Sequence, residues 1–270
     1  MQSIKNKVVI ITGASSGIGK ATAFEAGKKG ARLVLAARNK QQLDEVVAQL
    51  KDAGVLAIGI QTDVSLEEDC VQLVETTLKT YGQIDILINN AGISMRALFQ
   101  HVDLKVIQTV MNVNFWGLVY MTKYALPHVL KNKGSIVGIS SIAGYKGLPG
   151  RTGYSASKAA MNGFLESLRI ENLNKGLHVL TACPGFTSSN IRNTALAADG
   201  SMQGESPRDE SSMMTAEKVA EYLVRAIEKR RRSLVLTTSG KFTIWINRLF
   251  PGTMDKLVFR HMSKEPNSPF

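Results

Sequence analysis

The 270-residue sequence predicts a parallel α/β fold: one domain built on a doubly wound, seven-stranded sheet flanked by helices. Three observations predict it. Short apolar runs alternate with segments of helical periodicity as far as residue 237, the pattern that lays helices over a parallel sheet. The first apolar run ends in a glycine-rich turn that opens a helix, Thr12-Gly-Ala-Ser-Ser-Gly-Ile-Gly19. The composition, 44% hydrophobic and 20% charged, supplies one substantial core, and no apolar run is long enough to span a bilayer.

Residues 7–12 are the first strand, and the helix behind the turn, 18–29, sets Ile18, Ala21, Ala23 and Phe24 at helical spacing. The glycines let the backbone approach a pyrophosphate, and the helix N-terminus offers free N–H groups and a positive dipole end. Alternation continues with strand 31–37, helix 40–53, strand 55–61, helix 66–81 and strand 84–88. Asn89-Asn90-Ala91-Gly92 closes that strand with small residues suited to close backbone approach. A single long helix over 102–130 carries Asn112 and Asn114. Residues 134–144 are the fifth strand, with Ser140 and Ser141 at its carboxyl end, where ligands collect in open α/β sheets. Strand 178–183 leads into Pro184-Gly185, helix 216–230 is amphipathic through Val219, Ala220, Leu223, Val224 and Ile227, and 234–237 is the seventh strand.

Tyr154 and Lys158 stand four residues apart in an apolar, helix-forming segment, so one helix face presents both. A free phenol titrates near 10, too high to exchange protons readily at neutral pH. A fixed ammonium beside it lowers that value, each unit corresponding to about 1.36 kcal/mol. Such a pair is a general acid/base. Together with the Thr12–Gly19 turn, Asn89–Gly92, Asn114, Ser141 thirteen residues before the tyrosine, and Pro184-Gly185, it resembles the short-chain dehydrogenase/reductase family over about residues 5–237. The resemblance implies a Rossmann-type domain over residues 1–237, including a substrate lid at 188–214, and a basic, aromatic extension over 238–270 that packs on the same domain or at an interface.

It also implies roles, position by position. Gly13, Ser15, Ser16, Gly17, Ile18 and Gly19 form the phosphate loop; Asp63 and Val64 meet the adenine; Asn90, Ala91 and Gly92 line the cofactor; Pro184, Gly185, Thr187 and Ser189 wrap the nicotinamide, Ser189 standing where threonine is usual. Family members that use NAD carry an acid after the second strand. Here Ala37 and Arg38 occupy that place, a guanidinium where a 2′-phosphate would arrive, so the cofactor expected is NADP(H). Asn114, Ser141, Tyr154 and Lys158 are the catalytic set: Ser141 binds the substrate oxygen, Tyr154 moves the proton, Lys158 lowers the phenol pKa and holds the nicotinamide ribose, and Asn114 makes a kink that holds a water linked to the lysine.

The substrate expected is a small-molecule carbonyl or secondary alcohol, steroid- or lipid-like, with Ser94, Met95, Tyr145, Leu148 and Phe186 shaping its pocket and Met202, Met213 and Met214 covering it or filling gaps. A 3-oxoacyl thioester on an acidic carrier is the alternative, and a cofactor-binding regulator without turnover a third reading. The net charge of +11 is concentrated near the end, in Arg230-Arg231-Arg232, Lys241, Arg248, Lys256, Arg260 and Lys264. No nucleic-acid motif accompanies it, so no nucleic-acid partner is expected. In the extension Phe242, Ile244, Trp245, Ile246, Leu249 and Phe250 interleave with the cations, which suits the protein's own cleft, a subunit contact or the surface of a membrane. Ala156, Ala159, Ala160 and Gly163 permit close helix approach in a homodimer or homotetramer. Two distant cysteines, scattered histidines and the absence of a leader pattern point to a reducing, cytoplasmic setting with no metal site.

Overall fold

A computed structural model describes residues 2–187, 191–204, 213–265 and 268. Its sheet has seven strands: β1 (Val8–Thr12), β2 (Arg32–Ala37), β3 (Ala57–Gln61), β4 (Ile86–Asn89), β5 (Ser135–Ile139), β6 (His178–Cys183) and β7 (Ser233–Val235). All neighbours pair in parallel, in the order β3-β2-β1-β4-β5-β6-β7. The chain therefore winds one way from β1 to β3 and the other way from β4 to β7. The crevice this reversal leaves lies at the carboxyl ends of β1 and β4.

Every residue of β1 is buried, which is why its sequence is an unbroken apolar run and not an alternating one. Alternation persists in where the side chains go. Val9 and Ile11 pack on one face with α1 (Gly17–Lys28), α2 (Lys40–Asp52) and α7 (Ala216–Glu228) through Ala23, Leu43, Leu50, Leu223 and Ile227. Val8 and Ile10 pack on the other with α3 (Glu67–Tyr81), α5 (Gly117–Lys131) and α6 (Thr152–Glu171) through Leu73, Met121, Val129, Met161 and Leu165.

Two stretches differ from the sequence expectation, each for a local reason. The helix expected over 102–130 begins at Leu104, because the Asp103 carboxylate caps α4 (Leu104–Met111) by accepting from the Lys105 N–H at 2.8 Å. It is then broken by a π-helical turn at Asn112–Trp116 before α5 resumes. The fifth strand ends at Ile139 and not at 144, since Ser141 turns its hydroxyl to the Ala143 N–H at 3.2 Å and starts a 3-10 turn over Ile142–Gly144. The extension forms two helices, α8 (Thr238–Leu249), capped by Thr237, and α9 (Pro251–Met262), which has proline in its first turn.

Candidate active site

The glycine turn sits at the end of β1 and is held there by the segment after β4. Asn90 donates from Nδ2 to the Thr12 and Gly13 carbonyls at 2.9 and 3.1 Å, and the Thr12 hydroxyl accepts from the Asn90 and Ala91 N–H groups at 3.1 and 3.0 Å. Gly13 adopts φ +64°, and a Cβ on Gly19 would lie 2.3 Å from the Gly13 carbonyl oxygen. Only glycine allows α1 to start this close to the turn. Ser16, the residue before α1, makes no capping bond, and the first turn of α1 has no acidic residue. By contrast Asn39, Asp103, Thr215 and Thr237 cap α2, α4, α7 and α8 with their own oxygens. The uncapped, acid-free N-terminus of α1 fits the phosphates of a dinucleotide.

At the carboxyl ends of β4 and β5 the four expected catalytic residues converge. Asn114 projects from the π-helical turn, fully buried, and binds the Ile93 backbone twice: Oδ1 accepts from its N–H at 2.8 Å and Nδ2 donates to its carbonyl at 2.9 Å. The same Nδ2 lies 2.9 Å from Ser157 Oγ, which in turn donates to the Tyr154 carbonyl at 2.7 Å. The extra residue of a π turn re-aims one side chain without ending the helix, and here it links the β4 loop to α6. Lys158 is buried and donates to the Ile139 carbonyl at 2.8 Å, with Nζ 5.7 Å from the centre of the Tyr154 ring. A Cβ on Gly92 would stand 3.2 Å from Asn114 Oδ1 and 3.4 Å from Lys158 Nζ.

The electrostatics depart from the expectation. Burial raises the Tyr154 phenol above its usual value, and the groups that oppose this are the hydrogen-bonding Ser141 hydroxyl and the Arg151 and Arg192 guanidinium groups. Lys158 is not among them; its ammonium is turned to the Ile139 carbonyl, and burial pushes it down to about 8. Ser140, the neighbour of Ser141, faces away and donates to Asn162 Oδ1 at 2.6 Å.

The other expected contacts are distributed along the same rim. Ala37 is buried at the end of β2, and Arg38 beside it is exposed, its carbonyl held by Gln61 Nε2 at 3.1 Å. Asp63 spends its carboxylate on the Ser65 N–H and hydroxyl, at 3.0 and 2.7 Å, while Val64 is buried against Gly117. Pro184 and Gly185 follow β6, Gly185 with φ +80°, and Thr187 is buried, its carbonyl bound by Arg192 Nη2 at 2.8 Å. Ser189 and much of the expected lid, residues 188–190 and 205–212, lie outside the described residues. Within it the described stretch 191–204 is tied to the segment after β4: Leu196 N–H donates to the Ser94 carbonyl at 2.9 Å and Arg96 N–H to the Leu196 carbonyl at 2.8 Å.

The family model for short chain dehydrogenase matches residues 7–199, most of the chain. The protein belongs to the short-chain dehydrogenase family. The 11-beta-hydroxysteroid dehydrogenase A of Sesamum indicum is 35% identical over 268 residues, covering 97% of this chain and 76% of its own. The 11-beta-hydroxysteroid dehydrogenase-like 4A of Arabidopsis thaliana is 38% identical over 255 residues, covering 93% and 83%. Among solved structures, a short chain dehydrogenase/reductase from Burkholderia phymatum in complex with NAD superposes with a TM-score of 0.85 at 25% identity, over 94% of this chain and 96% of that one. This short-chain dehydrogenase is thus an oxidoreductase acting on CH–OH groups.

Several residues of this dehydrogenase's site carry no separate signal in the sequence. Ser157, inside the Tyr-Ser-Ala-Ser-Lys run, is the fully buried relay between Asn114 and α6; its place between tyrosine and lysine was the available cue. Arg151 and Arg192 reach the phenol electrostatically from outside every motif. Among the residues expected to shape the substrate pocket, Met95 is fully buried in a cluster with Val102, Val106 and Val110 that also touches Tyr154. Leu148 packs against α9, and Tyr145 and Phe186 remain partly exposed.

Proposed function

We propose that this dehydrogenase interconverts a carbonyl and a secondary alcohol on an apolar, steroid- or lipid-like substrate with NADP(H). The observation that carries the reading is the convergence of Ser141, Tyr154, Lys158 and Asn114 at the carboxyl ends of β4 and β5, beside an uncapped α1 N-terminus. The dinucleotide, when bound, gives or takes the hydride. Ser141 holds the substrate oxygen and Tyr154 supplies its proton on reduction, or removes it on oxidation. Lys158, with Nζ 5.7 Å from the centre of the phenol ring, binds the ribose hydroxyls, and Asn114 orders the water that returns the proton. NADP(H) is favoured over NAD(H) by the exposed Arg38 next to Ala37, where a carboxylate would repel the 2′-phosphate. The apolar substrate is supported by the named activity of the hydroxysteroid dehydrogenase relatives and by the Leu148, Met254, Val258 and Met262 cluster beside the catalytic helix.

The test is NADPH and NADH oxidation with diacetyl, methyl undecyl ketone, androstenedione and an acetoacetyl thioester, using wild type, Arg38→Asp and Tyr154→Phe. Expected are preference for NADPH over NADH, erosion of that preference by about tenfold or more in Arg38→Asp, and loss of turnover with retained cofactor binding in Tyr154→Phe. Thioester reduction far above that of the free ketones would overturn the substrate reading, and turnover surviving in Tyr154→Phe would overturn the mechanism.

We also propose that the outward face of α8 and α9 rests on an anionic membrane surface. Phe242, Trp245, Leu249, Phe250, Leu257 and Phe259 are all more than 40% exposed there, among the exposed Lys241, Arg248, Lys256, Arg260 and Lys264. Aromatic rings ringed by cations suit an interface of headgroups and acyl chains.

A further inference from the structure

Among the described residues, the C-terminal helices meet the segment between Ser141 and Tyr154 at several points, in sequence order. Asn247 Nδ2 donates to the Tyr145 carbonyl at 3.1 Å, Lys146 pairs with Asp255, and Leu148 packs against Ile246, Met254, Val258 and Met262. Past the end of α9, Glu265 reaches Arg151, the residue preceding α6, at 3.5 Å and Arg96, in the segment after β4, at 3.8 Å. All three side chains are largely buried, at 6%, 11% and 9% exposed. A carboxylate between two guanidinium groups with little water around it is held far more firmly than a surface pair.

We propose that Glu265 is a positioning residue: its clasp on Arg96 and Arg151 fixes α8 and α9 over the Tyr145–Arg151 loop and so sets how large and apolar a substrate the site holds. The inference rests on the reading of Tyr154 and Ser141 as the reacting pair. The reacting groups have separate braces, Asn114 to Ser157 and Ser140 to Asn162, and the Arg151 guanidinium that acts on Tyr154 stays in Glu265→Gln, so the variant loosens the wall of the cleft and leaves the reacting groups in place. A bulky substrate leans on that wall, and a small one does not.

The experiment compares wild type with Glu265→Gln, Glu265→Asp and, as a mild variant at an exposed anchor, Asp255→Asn. Hydrogen exchange is read along residues 145–151 and the two helices, and KM and kcat are read for methyl undecyl ketone and diacetyl. Expected in Glu265→Gln is exchange about tenfold faster in those segments with the sheet unchanged, KM for the long ketone raised about fivefold, and both constants for diacetyl within about twofold of wild type. Glu265→Asp, which keeps the charge, recovers part of each change, and Asp255→Asn shows the same pattern more weakly. Unchanged exchange and an unchanged KM for the long ketone in Glu265→Gln would overturn the proposal, as would equal loss for both ketones. If Glu265→Gln does not fold, Glu265→Asp decides: exchange over 145–151 as slow as in wild type refutes the clasp. Exchange needs no turnover, so failure of the oxidoreductase reading would appear in the ketone assays alone.

Discussion

Replacing Lys158 by methionine keeps the length of a buried side chain and deletes its charge. In the folded protein burial pushes the ammonium from the usual 10.5 down to about 8, whereas in the unfolded chain it keeps its ordinary value. Below pH 8 both states are protonated, so the folded state carries the whole difference, from 10.5 to about 8 at about 1.36 kcal/mol per unit, or roughly 3 kcal/mol. As the pH rises through 8 the folded protein releases the proton first, and its stability climbs until the unfolded chain releases it too, near 10.5. Between pH 7 and 9.5 wild type should gain about 2 kcal/mol relative to Lys158→Met. The variant also loses the bond to the Ile139 carbonyl, which offsets about 1–3 kcal/mol of its advantage, but equally at every pH. The assay is urea unfolding of both proteins at pH 7, 8.5 and 9.5. Expected is a variant as stable as wild type or more so at pH 7, an advantage that shrinks by about 2 kcal/mol at pH 9.5, and no turnover. Parallel pH dependences for the two proteins would refute the reasoning, because they would mean that Lys158 keeps its water when the chain folds.

Asn90→Ala removes both bonds from Nδ2 to the Thr12 and Gly13 carbonyls; urea unfolding should show a loss of about 1–3 kcal/mol, and fluorescence titration a weaker Kd for NADPH, since the phosphate turn loses its brace. Sedimentation with phosphatidylserine vesicles should carry the protein down at low salt and release it at high salt, with Trp245→Ala weakening the association; no association with anionic vesicles at low salt would remove the membrane reading.

Much of the fold is legible because its signals are local. The unbroken apolar run of β1, the glycine turn and the helical spacing behind it each follow from a dozen residues or fewer, and the strands of the sheet fall where the runs do. The ends of elements are less legible. Ser141 looked like strand, since hydrophobic residues surround it, but its hydroxyl competes for the Ala143 N–H and starts a turn. The π turn at Asn112–Trp116 has no pattern of its own; it exists because Asn114 can satisfy its amide on the Ile93 backbone, a partner twenty-one residues away.

The site divides along the same line. By itself the sequence determined which groups are present and which share an element: Tyr154 and Lys158 on one helix, Ser141 at a strand end, glycines at the turn that opens the first helix. Those follow from residue type and spacing, which the backbone periods convert into faces and ends. Only the tertiary structure decided how much water each group keeps, and hence that burial raises the phenol, lowers the ammonium and leaves the guanidinium groups of Arg151 and Arg192 to act on Tyr154. It alone also brought Glu265 between Arg96 and Arg151. Desolvation and long-range charge pairing depend on what packs around a group from distant parts of the chain, and spacing along the sequence carries no record of that.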